Sequence, residues 1–146
     1  MSVQTPKSDE VILDALAHLN NGNINSVIAY FASEFHFRDY GLGLEFTGRE
    51  RLAEFFRKIR ELYPDSLVLT DHVFVSGNHV IAEWTLRATL TEPFYGGLTR
   101  NISVSVHGAS IVRIYNGEIT DWSDFYDGLT SRRAALAAHF EEWVEL

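Results

Sequence analysis

"VHGASIVRIYNGEITDWSDFYD", from Val106 to Asp127, sets two β-rich runs on either side of Asn116-Gly117. An Asn-Gly pair between such runs is a strong signal for a two-residue hairpin, because both turn residues must take positive φ. Counting straight outward from that turn puts Tyr115 opposite Glu118 and Ile114 opposite Ile119. The same count sets Ile111 against Trp122, Ala109 against Asp124 and His107 against Tyr126. Side chains alternate between faces along a strand. One face is therefore expected to hold His107, Ala109, Ile111, Trp122, Asp124 and Tyr126 together. Asp121 points the other way, and Asp127 sits at the strand end, where it can cap or meet water.

Asp124 is the odd member of that face. A carboxylate among Trp122 and Tyr126 in an apolar setting has its pKa raised by desolvation. A carboxylate tuned in this way is a competent general base near neutral pH. His107 is its diagonal neighbour in this register, with backbones roughly 7–8 Å apart, so an imidazole stands ready to donate or return a proton. The plain alternative is that Asp124 accepts from a local backbone amide and His107 is a satisfied core histidine. Three residues of separation divide the strand's acids between faces, so no metal cluster follows from them.

The rest of the chain supplies the frame. Ser8 is a plausible N-cap for a helix whose apolar face is Val11, Ile12, Ala15, Leu16 and Leu19. A short second helix follows over about Ile24 to Phe31, then a strand, "EFHFRD", with Phe35 and Phe37 on one side. "GLGLEFTG" reads as a loop or short hairpin, and not as a nucleotide motif, since no phosphate-binding context surrounds it. "RERLAEFFRKIRELYP" is a third helix facing Leu52, Phe55, Phe56, Ile59 and Leu62 inward. Beyond Pro64 come "SLVLTDHVFVSG" and "HVIAEWTLRATL", joined around Gly77-Asn78. "TSRRAALAAHFEEWVEL" closes the chain as a helix capped by Thr130 or Ser131. Helices first, then a meander, then a helix is an α+β order, with helices packed on one face of a curved, mostly antiparallel sheet. A sheet bent in this way encloses a cavity.

Composition narrows the function classes. The chain has 146 residues, enough for one domain (8–146, after a loose 1–7). It is 46% hydrophobic and 13% aromatic, so folding needs no crosslink or metal. There is no cysteine, which excludes disulfides, thiolate metal sites and a cysteine nucleophile and fits the cytoplasm. A formal charge of -8 argues against nucleic acid or an anionic membrane as the partner. The amino terminus lacks the apolar core of a signal peptide. No spacing of His and carboxylate residues resembles a metal-ligand set.

Taken together, the element order and the stretches "AEWTLRATLTEPFYGG", "VHGASIVRIYNGEI" and "DWSDFYD" resemble the SnoaL-like polyketide cyclases. That family belongs to the nuclear-transport-factor-two-like superfamily of ketosteroid isomerase and limonene epoxide hydrolase. The resemblance runs from about Val11 to Tyr126 and implies a cone-shaped sheet wrapped on the amino-terminal helices. It implies a central catalytic aspartate in the closing strand, here Asp124, assisted by a histidine on the preceding strand, here His107. It implies no cofactor, a hydrophobic small-molecule ligand and a homodimer formed through the sheet. Trp84, Leu86 and Ala88 match a pocket-lining strand, with Ala109, Trp122 and Tyr126 as further walls. The epoxide hydrolases' arginine and second carboxylate correspond to Trp84 and Leu86, and their water-holding tyrosine and asparagine to Phe37 and Asp39. All four polar parts are changed, so large apolar walls suit a flat, hydrophobic ligand instead.

The expected activity is acid–base chemistry on a carbonyl compound, aldol cyclisation or isomerisation. The alternatives are a ligand-binding or dimerisation module of the same fold and a divergent epoxide hydrolase. Asp39, ending the first strand, is either a second acid at the cavity mouth or a turn residue before Tyr40-Gly41. Glu83 and Arg87 fall opposite Trp84, while Asp71-His72 and His79 read as surface. In "EPFYGG", Phe94 or Tyr95 is placed to cover the cavity entrance.

Overall fold

The spacing of Val11, Ile12, Ala15 and Leu16 winds into helix α1 (Ser8–Asn20), and all four side chains are buried. Lys7, rather than Ser8, precedes the first turn, and its backbone N–H donates to Glu10 Oε2 at 3.3 Å. The computed structural model describes residues 7–93 and 97–130. The start of the chain, Phe94 and Tyr95, and the closing helix expected after Thr130 lie outside those residues. Helix α2 (Ile24–Ile28) stops short of Phe31, because Phe31 opens strand β1 (Phe31–Asp39). Phe31, Phe35 and Phe37 all enter the core, with the Phe31 and Phe35 rings 4.9 Å apart.

Strand β2 (Leu44–Phe46) turns back on β1, so "GLGLEFTG" is the short hairpin. Helix α3 (Arg49–Leu62) buries Leu52, Ala53 and Phe56. Leu62, expected to face inward, is instead 60% exposed, since the helix ends at that residue. The remaining strands are β3 (Leu67–Ser76), β4 (His79–Pro93), β5 (Thr99–Tyr115) and β6 (Glu118–Tyr126). They form a six-stranded sheet in the order β2-β1-β6-β5-β4-β3. Every neighbouring pair is antiparallel except β1 with β6, which run parallel. The main core joins all three helices to one face of this curved sheet, from Ile12 and Leu52 to Val112, Ile119 and Trp122.

The register of β5 on β6 departs from the straight count. The turn is as expected, with φ of 49° at Asn116 and 77° at Gly117, and Ile114 does face Ile119. The next pair is Arg113 with Asp121, so Thr120 is an extra residue, a β-bulge in β6. Its hydroxyl donates to the Arg113 carbonyl at 3.3 Å. Beyond it every partner is shifted by one: Val112 faces Trp122, Ser110 faces Asp124, and Gly108 faces Tyr126. A one-residue shift moves a whole set of side chains to the other face of the sheet. Ile111, Ala109 and His107 are thus on the outer face, away from Trp122, Asp124 and Tyr126.

Candidate active site

Between α1, α3 and the inner face of the sheet lies a cavity of about 250 Å³. Leu16, Leu19, Phe55, Phe56 and Ile59 form its helical wall. Its sheet wall carries Phe37 and Asp39 from β1, Trp84 and Leu86 from β4, Ser110 from β5, and Trp122, Asp124 and Tyr126 from β6. Six of the residues expected to line a pocket therefore do so, along with Asp124. Ala88 shares the inward face of β4 but is not part of the lining.

Two groups fix the Asp124 carboxyl. Ser110 Oγ donates to Oδ1 at 2.5 Å, and the indole Nε1 of Trp122 donates to the same oxygen at 2.6 Å. Trp84 Nε1 in turn donates to Ser110 Oγ at 2.9 Å, which leaves the serine proton directed at Asp124. Trp122 is thus a donor as well as a wall, and Ser110 is the residue that straight counting missed. Among the described residues no hydrogen bond falls on Asp124 Oδ2, and no fully enclosed side-chain N or O atom there lacks a partner. Oδ2 therefore opens onto the cavity.

This setting decides the acid's ionisation. Burial penalises the charged form and raises the Asp124 pKa to about 7. The bonds from Ser110 and Trp122 oppose that rise, and the nearby Asp39 carboxyl adds to it. Asp124 is partly accessible as a residue and lines the cavity, while protein atoms surround its carboxyl.

Asp39 is buried beside it, as Asp124's partner in the parallel β1–β6 pair. It is at once a turn residue and part of the cavity lining. Its Oδ1 closes the following turn by accepting the Leu42 N–H at 2.9 Å, and it lines the cavity. Tyr126 Oη donates to its two oxygens at 2.7 and 2.9 Å. Burial first, and then the bond to Asp39, pushes the Tyr126 hydroxyl well above its ordinary pKa, so it remains a donor.

Gly108 allows the indole of Trp84 to lie across β5. A Cβ there would come within 2.6 Å of the Trp84 ring and 2.7 Å of the Phe125 carbonyl oxygen. Gly41 similarly lets the chain pass over Tyr126, whose ring a Cβ would meet at 2.2 Å.

His107 does not join Asp124. Its side chain is 63% exposed on the outer face, with Nε2 3.1 Å from Glu83 Oε1 and Nδ1 3.7 Å from Asp71 Oδ2. Ala109 shares that outward face. A second bulge, at Asp71 between the pairs Thr70–Trp84 and His72–Glu83, brings Asp71 and His72 to the same side. Ligand atoms of Asp71, Glu83 and His107 lie within 4.8 Å of one another. Linear spacing hides this grouping, because three strands assemble it.

Helices closing one face of a curved mixed sheet give the chain a ketosteroid isomerase-like fold, also called nuclear-transport-factor-two-like. The model of the SnoaL-like polyketide cyclase family matches residues 10–135, and the chain belongs to that family. Membership supports a cyclase-type role.

Solved structures agree on the fold. IdmH, a candidate polyketide cyclase of Streptomyces antibioticus, superposes with a TM-score of 0.78 at 15% identity, covering 89% of this chain and 99% of its own. A candidate SnoaL-like polyketide cyclase of Shewanella denitrificans OS-217 gives 0.77 at 15% identity, covering 90% and 98%. A Catenulispora acidiphila protein of ketosteroid isomerase-like fold, in complex with trimethylamine, gives 0.73 at 21% identity, covering 90% and 93%. No curated protein matches the chain.

Proposed function

We propose that the protein is an enzyme that removes a proton from the carbon beside a ketone, with Asp124 Oδ2 as the base. The observation that carries this reading is the asymmetric carboxyl. One oxygen is held by Ser110 and Trp122, and the other faces an apolar cavity with its pKa raised to about 7. A base poised near the working pH combines a useful ionised fraction with real proton affinity. In the step itself the C–H electron pair becomes the enolate π bond and the proton moves to Oδ2. The enolate carbon then bonds to a second carbonyl carbon of the same molecule, and its oxygen takes up a proton. Ring closure is preferred here to simple isomerisation because membership of the family supports a cyclase-type role. Trp84, Leu86, Trp122 and Phe37 suit a flat, hydrophobic substrate.

A homodimer belongs to the same reading. Phe74, Ile81 and Ile111 form a cross-strand row on the outer face of the sheet, between 41% and 57% exposed. Phe125 on that face is 42% exposed, and apolar surface of this kind is what subunit contacts cover.

Deuterium exchange into the methyl group of 2-acetonaphthone, followed by NMR, tests the chemistry. The enzyme is expected to accelerate exchange along a single rising limb centred at about pH 7. Binding without acceleration would mark a ligand-binding module instead. His107→Ala is expected to leave the exchange rate unchanged, because the imidazole lies on the other side of the sheet. A fall of tenfold or more would restore the histidine to the reaction.

A further inference from the structure

Among the described residues lining the cavity, Arg60 is the only cationic side chain. It sits in the last turn of α3, four residues beyond Phe56, and so continues that helix's inward stripe. It is half-buried, and among the described residues it forms no ion pair. Its Nη1 is held at 3.4 Å by each of two backbone carbonyls, those of Leu19 and Ser66. Those bonds anchor the guanidinium while leaving donors on Nη2 and Nε. The neighbouring polar group, the Asn20 amide, is committed at both ends to the Val68 backbone, each at 2.8 Å.

The two charged ends of the cavity lie over different strands of the same inner face. Arg60 meets Ser66 just before β3, whereas Asp124 is on β6, with β4 and β5 between. Three strand spacings amount to about 14 Å across the sheet, and the registers add an offset of five residues along β5, from Ser105 to Ser110. The inward side chains and the curvature of the sheet shorten the free span. The two carbonyls leave the charge of the half-buried guanidinium without a counter-ion among the described residues, and its planar fork matches a carboxylate in two parallel bonds.

We propose that Arg60 binds the carboxylate of an elongated, apolar keto acid whose ketone lies at the far, Asp124 end of the cavity. The ketone's place rests on the proton-abstraction reading above; the carboxylate's place does not. Arg60 on this view sets specificity and takes no part in the proton transfer.

The probes are 6-oxo-6-phenylhexanoate and its primary amide, which match in shape and differ in charge. Calorimetric titration of the wild type is expected to show the acid binding about tenfold tighter or more, as a charge-assisted pair predicts. Arg60→Met is expected to equalise the two by weakening the acid alone. Arg60→Gln keeps an N–H donor for the Leu19 and Ser66 carbonyls, so it gives the same readout if the Met variant does not fold. Equal affinities in the wild type, or a preference that survives loss of the charge, would overturn the proposal. Asp124→Asn is expected to keep the preference for the acid while losing deuterium exchange beside the ketone. A wild type that prefers the acid but exchanges nothing overturns the base and leaves Arg60 in place. Exchange without a preference does the reverse.

Discussion

Asp124→Asn is expected to slow α-deuterium exchange into 2-acetonaphthone by about 10²–10⁴-fold, the usual contribution of a positioned general base. The amide keeps an oxygen where Ser110 Oγ and Trp122 Nε1 donate, so the pocket should persist and ketone binding should change little. Loss of rate with retained binding is what separates a base from a wall residue. An Asn variant that exchanges at the wild-type rate would place the reacting group elsewhere.

The same substitution has a signature in stability. Asp124 ionises at about 7 in the folded chain, against ~4 for an unperturbed aspartate. The folded state thus holds this proton more tightly than the unfolded state, and between those values unfolding releases it. Stability therefore falls as pH rises from about 4 to about 7, and the contribution is level outside that window. Thermal melts of the wild type should show this fall superimposed on other titrations, and the Asn variant should lack it.

Trp122→Ala is the change expected to damage the fold most. Trp122 is 6% exposed, and its ring centroid lies 6.0 Å from that of Phe31 and 6.1 Å from that of Phe37. Its indole also donates to Asp124 Oδ1 at 2.6 Å. Removing such a ring from a core costs about 3–5 kcal/mol, a large share of the ~5–15 kcal/mol that holds a domain folded. The variant should therefore melt far below the wild type, or be largely unfolded, by circular dichroism. Thr120→Ala keeps the bulge residue and loses only the 3.3 Å bond to the Arg113 carbonyl. It should melt close to the wild type, and a Trp122→Ala variant that also did so would show that the ring does not hold the core.

That bulge also marks where sequence reading succeeded and failed. The element order was legible because apolar spacing is strong in α1 and α3, and because Asn116-Gly117 takes the two positive φ values its turn requires. Asp124's place on the inner face was legible through its flanking aromatics. Its partner was not, since a straight count from the turn cannot detect one unpaired residue. The signal was nonetheless present in β5. Val104, Val106, Val112 and Ile114 are buried, and they alternate with Ser103, Ser105 and Arg113. That pattern turns Ser110 inward and His107 outward. It agrees with an inward Trp122 only if β6 carries one extra residue.

Arg60 was hidden for a different reason. A charged residue late in an amphipathic helix reads as solvated, and its i+4 relation to Phe56 gains meaning only once a cavity lies in front of it. The outer cluster of Asp71, Glu83 and His107 is drawn from three strands and leaves no linear trace.

The central claim is that one carboxyl is held in an apolar cavity so that its proton is lost near neutrality. Carbon-detected NMR of the side-chain carboxyls, with the Asp124 signal assigned through Asp124→Asn, reads this without any substrate. The expected titration midpoint is about 7. A midpoint near 4, the value of a free aspartate, would contradict it.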